Sequence, residues 1–464
     1  MKKLILITFL SLNICYSFAQ SKDSLPSAFT LQQAIDYALK NQIKMQNALY
    51  DEQLAQAKVK EVTGIGLPQI NASFDLKDYL KIPTSFLPDF ISPIVYGVLM
   101  QERLIAPRNI AMDGLFPAQF GTKYNATAGA TASQIIFNSD YLVGLQAAKT
   151  FRELSLKNTQ RTKIETAVTV TKAYYSVLIN AERMNLLNAN VARIKQLMED
   201  TKTMFNNGFV EKIDVDRITV AYNNLLTEKQ KVERFLGLSY ILLKYQMGME
   251  QTAVLTLTDK IDDVKFQSTD TTAIEKFEYS KRVEYSLLET QNRLVKLDLK
   301  KNKLGYLPNM VLYGTASTQA QRQQFDIFNT SEKWYPVGIV GTTINIPIFD
   351  GLQKNYRIQQ SKINLLKNEN DMKFLKQSID VELTSSKITL QNSVSALDVQ
   401  KNNIELAEEI FNATKLKYQQ GVGSNLEVLT AETSLKEAQT NYYSALYDAL
   451  IAKVDYEKAS GVIK

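Results

Sequence analysis

The residues that could take part in chemistry are chiefly two carboxylates that follow matching glycines. Asp214 lies six positions after Gly208, and Glu427 lies six positions after Gly421. The chain of 464 residues contains no histidine, and its single cysteine is Cys15. A Ser-His-Asp or Cys-His nucleophile and a histidine-containing zinc site are therefore excluded. Chemistry that needs carboxylates alone, such as glycoside hydrolysis, stays open.

The two carboxylates occupy equivalent places in a long internal repeat. The glycines that precede them are 213 positions apart, and so are Gly248 and Gly461. A Leu-Pro pair at 67–68 recurs after 240 positions and an Ile-Phe pair at 136–137 after 212, so the first half carries 28 additional residues. A period of this length indicates a duplicated domain. The prediction is a first repeat over 20–248, an equatorial linker over 249–274 and a second repeat over 275–464.

Each half is predicted to consist of a helix, a strand, a loop, a strand, a very long helix, a tight turn and a further helix. The glycines at 208 and 421 stand where a helix stops and the chain reverses. At about 1.5 Å per residue, each of the two longest helices would extend roughly 100 Å. The predicted helices cover residues 31–62, 139–205, 210–247, 275–304, 351–418 and 424–460.

The last predicted helix has an apolar seam typical of a coiled coil. Its seam residues recur in alternating steps of three and four, with alanine at every second position. An ordinary two-helix coiled coil explains this pattern as well as a larger helical assembly does, so the pattern predicts packing and not architecture. The seam consists of Val428, Ala431, Leu435, Ala438, Tyr442, Ala445, Ala449, Ala452, Tyr456 and Ala459.

Four segments alternate between apolar and polar residues and are predicted to be strands, at about 67–79, 122–137, 307–319 and 335–348. This period suits a strand between lipid and water, and equally a half-buried sheet on a soluble core. Four strands are too few for a membrane barrel, because the smallest single-chain barrels use about eight. If the strands span a membrane, several chains must share one barrel. A proline-rich loop over 78–121 is predicted to face outside the cell.

The N-terminal residues are typical of an export signal. Two lysines precede an apolar run from Leu4 to Ile14, and small residues before Gln20 form a cleavage pattern, which predicts a signal peptide over 1–19. Cys15 is a poor lipid-attachment site, because Ile14 stands where a small residue is needed. Beyond the signal, the sequence has no run of about 18 apolar residues that would predict a membrane-spanning helix. The net charge of +6 is weak, and no dense Lys/Arg block indicates a nucleic-acid partner.

The order of the elements, the two glycine turns and the Ile-Pro-Ile-Phe-Asp-Gly sequence from Ile346 to Gly351 resemble the TolC family of outer-membrane factors. The resemblance covers essentially the whole mature chain. It implies a mostly α fold with a small β part, located in the outer membrane and extending into the periplasm. It also implies a homotrimer, in which a shared twelve-stranded transmembrane β-barrel, with four strands from each chain, continues into a long antiparallel α-helical barrel.

The same resemblance implies the exit duct of a tripartite efflux or type I secretion system, with passive export and with neither enzymatic activity nor a cofactor. The implied partners are two further copies of the chain, a periplasmic adaptor of the membrane fusion protein type, an inner-membrane pump of RND or ABC type, and outer-membrane lipid. No nucleic acid and no metal site are expected. Two alternatives stay open, namely a secreted coiled-coil scaffold or adaptor without a pore, and a carboxylate-based hydrolase.

By this resemblance, Asp214, Glu427 and Tyr418 would form the periplasmic aperture of the duct. The sequence departs from the family pattern at Gly423, which stands in place of an arginine, and at Thr430, which stands in place of an aspartate. These departures place the family's Tyr–Arg latch in doubt. They also make the acidic ring of the aperture thinner.

Both acids also suit a structural role at the start of a helix. Ser424 and Glu427 form a capping-box pattern, and an acid in the first turn suits the positive end of the helix dipole. Asp214 has Glu211 three positions before it instead of a serine or threonine, which favours the aperture role. The two turns are predicted to dock the adaptor through Gly208, Phe209, Gly421, Val422 and Gly423.

Overall fold

Long helices dominate this computed structural model, which describes residues 28–107, 109, 115–261 and 277–463. The predicted signal peptide at 1–19 lies outside the described residues, as does the part of the predicted linker from 262 to 274. The α-helices are α1 (Leu31–Asn41), α2 (Ile43–Ile65), α3 (Ile91–Gln101), α4 (Ser139–Asn206), α5 (Lys212–Met247), α6 (Val283–Leu304), α7 (Gln353–Gln419) and α8 (Asn425–Ala459). The β-strands are β1 (Ala28–Phe29), β2 (Gln69–Asp78), β3 (Thr84–Pro88), β4 (Leu115–Gln119), β5 (Tyr124–Phe137), β6 (Thr256–Leu257), β7 (Asn309–Arg322) and β8 (Tyr335–Asn345).

The two very long helices of the prediction are confirmed as α4 and α7, which have 68 and 67 residues. Each is followed by a short turn and then by the further helix predicted behind it, α5 or α8. The observed ends of these four helices differ from the predicted ones by no more than two residues.

Two predicted helix boundaries are wrong. The helix predicted over 31–62 is interrupted at Gln42, whose φ of −66° and ψ of 129° are extended and end α1. The helix predicted over 275–304 begins only at Val283 in the structure. Gln42 and Arg282, which directly precede α2 and α6, are 240 positions apart, the interval of the repeated Leu-Pro pair. The two breaks therefore occupy equivalent places in the two halves of the sequence.

A helix-ending glycine packs directly against each of these breaks. A Cβ at Gly248 would lie 2.7 Å from the carbonyl oxygen of Asn41, and a Cβ at Gly461 would lie 2.9 Å from that of Lys281. Both glycines also have a positive φ, 70° and 71°. The contacts join segments that are far apart in sequence, so helical periodicity gave no sign of the breaks.

The predicted loop over 78–121 is wrong in its described part, because that part contains β3, α3 and β4. The strands β3 and β4 pair antiparallel, from Thr84 opposite Gln119 to Pro88 opposite Leu115. Pro93 lies in the first turn of α3, where a missing backbone N–H is tolerated. Proline content favoured a loop in the prediction, whereas several of these prolines occupy positions that helices and edge strands allow.

The described chain forms two compact units, and each of them draws residues from both predicted repeats. The predicted repeats and the compact units are therefore different divisions of the chain. The helical unit comprises residues 28–48, 160–261, 277–282 and 378–463. The sheet unit comprises residues 49–107, 109, 115–159 and 283–377.

Four helices share an apolar core in the helical unit. Ile194 of α4, Ile218 of α5, Phe411 of α7 and Leu435 of α8 are buried together in it. Leu435 belongs to the seam predicted for the last helix, as does the buried Val428. The heptad pattern of α8 thus packs this helix against three others and not in a single pair.

The described part of the predicted linker is packed against a second apolar cluster of the helical unit. The short strand β6 lies in it and pairs in parallel with β1. Met249, Leu255 and Ile261 are buried in the same cluster as Tyr174. The Tyr174 hydroxyl donates a hydrogen bond to the carboxylate of Asp259 at 2.9 Å, which further fixes this segment.

The sheet unit is built on a four-stranded antiparallel sheet in the order β2-β5-β7-β8. These strands overlap the four segments whose alternation predicted them. The edge strands are β2 and β8, and neither has a partner on its outer side within the described chain. The sheet therefore leaves two rows of backbone N–H and C=O groups without strand partners in a single copy.

The two faces of this sheet differ in polarity, since residues directly opposite each other in antiparallel strands point to the same face. The apolar face carries Ile70, Phe74 and Leu76 of β2 opposite Ala132, Ala128 and Ala126 of β5. The polar face carries Asn71, Ser73 and Asp75 of β2 opposite Thr131, Gly129 and Thr127 of β5.

The described residues offer neither a membrane-crossing helix nor a metal centre. No helix among them is both long and apolar enough to cross a bilayer. No cluster of three or more histidine, cysteine or acidic residues in the same part of the chain could hold a metal ion.

Candidate functional site

The turns after α4 and α7 have the same hydrogen-bonded geometry. Gly208 and Gly421 adopt the left-handed conformation, with φ of 78° and 75°. The N–H of Phe209 donates to the carbonyl of Met204 at 2.9 Å, and the N–H of Val422 donates to the carbonyl of Lys417 at 3.0 Å. Together with the bonds from the glycine N–H groups, this is the Schellman motif that ends many helices.

Backbone conformation is the reason that Gly208 and Gly421 are glycines, because a Cβ at either position would meet no atom within 4 Å. Gly423 differs, since a Cβ there would lie 3.0 Å from the backbone nitrogen of Tyr418. At the tips of the turns, Phe209 and Val422 are 80% and 79% exposed. Each turn therefore presents an apolar side chain to its surroundings on a fixed backbone.

Asp214 takes part in the start of α5. Its carboxylate accepts a hydrogen bond from the N–H of Glu211 at 3.3 Å. It also lies 3.7 Å from the guanidinium of Arg217 one turn further along the helix. The side-chain amide of Asn425 donates to the carbonyl of Asp214 at 2.9 Å, so the start of α8 contacts the start of α5. Asp214 thus has the structural role at a helix start, although its sequence context favoured the aperture role.

Only half of the predicted capping box forms between Ser424 and Glu427. The Ser424 hydroxyl accepts a hydrogen bond from the N–H of Glu427 at 3.2 Å, which caps α8. The expected return bond from the glutamate side chain does not form, and that side chain is exposed. Glu427 extends from the start of the helix, where its carboxylate is available to other groups.

Tyr418 lies in the interior of the helical unit, only 5% exposed, in the core that four helices share. Its hydroxyl is 3.2 Å from the hydroxyl of Thr201, which joins α7 to α4. The structure therefore brings the backbones of the two acidic helix starts together through Asn425. It places Tyr418 in the neighbouring core and not on an exposed surface with the acids.

A buried column of polar residues on α8 was not predicted from the sequence. Asn425, Glu432 and Gln439 follow one another at intervals of seven residues and are all buried. The amide of Asn190 on α4 donates to Gln439 at 3.0 Å. The spacing of three polar residues within an apolar heptad pattern was a signal that could have revealed the column.

The carboxylate of Glu432 is the most perturbed acid of this region. It lies 3.5 Å from the guanidinium of Arg193 on α4. Burial raises the pKa of Glu432 to about 7, although Arg193, Lys415 and Lys436 favour the charged form. The Arg193 guanidinium also lies over the Phe411 ring, 4.9 Å from its centre. A charge at Glu432 is therefore costly even beside its partner.

Paired long helices with exposed turns, together with an open sheet that has one apolar face, are features that a subunit of a helical channel would need. Residues 301–462 match the family model described as outer membrane efflux protein. Outer membrane protein TolC of Vibrio cholerae is 22% identical over 374 residues, which cover 79% of this chain and 83% of that protein. Alkaline protease secretion protein AprF of Pseudomonas aeruginosa is 22% identical over 306 residues, or 64% of this chain and 62% of that one.

Solved structures show the same fold. The outer membrane protein VceC of Vibrio cholerae superposes with a TM-score of 0.69 at 13% identity, covering 93% of this chain and 96% of that one. CusC superposes with a TM-score of 0.72 at 15% identity, covering 93% of this chain and 92% of that one. The chain thus has the TolC-like fold, and its residues 301–462 are similar to the outer membrane efflux protein family. It is an exit duct of the outer membrane.

These matches are to efflux and secretion proteins, which agrees with the expectation that the chain is not an enzyme. They favour the duct over the secreted scaffold without a pore and over the carboxylate-based hydrolase.

Proposed function

We propose that three copies of this chain assemble into one continuous duct with a shared twelve-stranded barrel. The supporting observation is the four-stranded sheet, whose edge strands β2 and β8 have free outer sides in the described chain. An open edge cannot be satisfied by lipid, so a sheet in a bilayer must close on itself. Pairing β2 of one copy with β8 of the next closes the barrel with four strands from each of three copies.

The two faces of the sheet suit such a barrel. Its apolar face, which includes Ile70 and Phe74, would contact lipid, and its polar face, which includes Asn71 and Asp75, would line a water-filled lumen. A sheet on a soluble core would hide its apolar face beneath other elements. Ile70 and Phe74 are instead exposed in the single copy.

Exposed apolar residues along α7 also support contact between copies. Phe374, Val381 and Ile388 are exposed and lie at intervals of seven residues, and so do Val399 and Leu406. A helix facing water would carry polar residues at such positions. A seam of this period is typical of helices that pack side by side, so neighbouring copies would cover it.

The two turns are proposed to dock a periplasmic adaptor, which in turn would meet an inner-membrane pump of RND or ABC type. Phe209 and Val422 offer exposed apolar anchors on rigid turns, the features of a contact that forms with little ordering cost. The relatives include both TolC and an alkaline protease secretion protein, so both efflux and secretion are supported.

The start of α5 and the start of α8 are proposed to form the acidic rim of the aperture. Asp214 and Glu427 lie in the first turns of these helices, which Asn425 joins. Three copies would bring six carboxylates around one opening, a ring that favours cations. Tyr418 would support this rim from the neighbouring core, where its contact with Thr201 holds α7 against α4.

Light scattering in detergent, together with conductance in planar bilayers, tests the assembly. The expected result is a trimer that dissociates on heating and that forms cation-selective channels. A folded monomer that is stable in membranes would contradict the shared barrel, since four strands cannot close one alone.

A further inference from the structure

The outward face of α3 is a stripe of aliphatic side chains. Ile91, Ile94, Val95 and Val98 follow the helical spacing i, i+3, i+4 and i+7, and each is between 49% and 63% exposed. No charged residue occurs from 90 to 101. A helix that borders water normally turns polar residues outward. This face is therefore suited to contact with another apolar surface.

Lipid headgroups are a poor cover for α3. A helix that lies on a membrane has a strongly polar or charged second face, usually with lysine or arginine. The second face of α3 is made of half-buried Ser92, Pro93, Tyr96, Leu99 and Met100, and it carries no charge. The helix thus lacks the amphipathic character of a membrane-surface element.

Hydrocarbon is also a poor cover, because the hairpin that carries α3 extends beyond the sheet. A membrane-spanning strand needs about 9–11 residues, and β2 already has 10 residues and β5 has 14. The N–H of Tyr79 donates to the carbonyl of Lys123 at 2.8 Å, so the β2–β5 ribbon continues into the segment that holds β3, α3 and β4. This segment therefore begins where the length that lipid requires is complete.

We propose that the aliphatic stripes of α3 from three copies pack against one another and form an apolar constriction over the mouth of the duct. The inference rests on the trimeric duct proposed above. The segment departs from β2, the edge strand that pairs with the next copy in that trimer, so it starts at the boundary between copies. The i, i+3, i+4, i+7 spacing is the one that helix-to-helix packing uses. A ring of aliphatic side chains restrains ion flow, because water leaves a narrow apolar passage.

Cysteine crosslinking tests this contact directly, because the chain has a single native cysteine, Cys15, in the predicted signal peptide. Ile94→Cys places a thiol in the stripe, and Pro93→Cys places a matched thiol on the opposite side of the same helix. With a short bifunctional maleimide on the protein in liposomes, Ile94→Cys should yield crosslinked dimers, because one thiol per chain allows one crosslink per chain. Pro93→Cys should stay at the background level.

Conductance gives a second measurement that does not depend on thiol chemistry. The stripe is exposed in the single copy, so Ile94→Ser with Val98→Ser should leave folding unchanged. The shared barrel should still hold three copies together. The variant should conduct more than the wild-type trimer, because a polar ring stays wet. Conductance equal to that of the wild type would overturn the constriction.

The outcomes separate this proposal from the duct on which it rests. A trimer by light scattering, with no more crosslinking at Ile94→Cys than at Pro93→Cys, would overturn the α3 contact and leave the duct intact. A blue-shifted emission from a bimane label on Ile94→Cys in liposomes, without crosslinking, would assign the stripe to lipid instead. A stable monomer would overturn the duct and this inference together.

Discussion

Replacing Glu432 by glutamine should remove a pH-dependent weakness in the packing of α8. Burial raises the pKa of this glutamate from 4.5 to about 7, against the opposing effects of Arg193, Lys415 and Lys436. Because the folded-state pKa exceeds the unfolded one, the folded protein binds the proton more tightly. The stability that this tighter proton binding at Glu432 contributes is fully present below about pH 4.5 and is lost as the pH rises through about 7.

The magnitude follows from the size of this rise in pKa. At about 1.4 kcal/mol for each tenfold change in proton affinity, the rise corresponds to an upper limit of about 3 kcal/mol. Glutamine has nearly the same shape as protonated glutamate and never carries the charge. Glu432→Gln should therefore match the wild type at about pH 4 and exceed its stability by up to that amount at about pH 8.

Amide hydrogen exchange along α8 is the suitable assay, because it reports local opening of the helix. After correction for the intrinsic pH dependence of exchange, protection of wild-type α8 should fall between about pH 5 and about pH 8, while that of Glu432→Gln should stay level. Glu437→Gln is the matched control, since Glu437 is exposed on the same helix. A parallel loss of protection in wild type and Glu432→Gln would refute the reasoning.

Three further predictions concern the turns and the aperture. Gly208→Val with Gly421→Val forces a positive φ on valine, at about 1–2 kcal/mol each; the variant should conduct but lose adaptor binding in a pull-down, whereas asparagine at both positions should retain it. Asp214→Asn with Glu427→Gln should weaken cation selectivity in planar bilayers, and an unchanged reversal potential would limit both acids to the role of helix starts. Tyr418→Phe should cost about 1 kcal/mol in urea unfolding, because it removes one buried hydrogen bond; no change would show that the bond to α4 contributes nothing.

The long helices and their glycine turns could be predicted because their signals are local. Heptad spacing, a glycine at a helix end and alternation along a strand all act within a few residues of one another. The ends of α4, α5, α7 and α8 accordingly lie within two residues of prediction. The four strands of the sheet likewise overlap the segments whose apolar–polar alternation predicted them.

The features that were missed depend on contacts between distant segments. The burial of Tyr418 depends on packing near Thr201, which is 217 positions earlier. The break at Gln42 coincides with the close approach of Gly248. The aperture residues were carried over from a resemblance, which gives a position in the chain but not the exposure of a side chain. The sequence therefore places the candidate residues beside the two turns but does not give their hydrogen bonds.

The polar column on α8 has a consequence for the level at which the two turns end. An apolar heptad seam looks almost the same after a shift of one heptad, which would move a helix by about 10 Å along its axis. In the observed alignment, Asn425, Glu432 and Gln439 each have a polar partner on α4 or α5, and a shift by one heptad would separate these pairs. Leucine at these positions would remove the cost of burying polar groups, but it would also make slipped alignments nearly as favourable. The column thus keeps the tip of α8 level with the tip of α5, so that one partner surface can reach both.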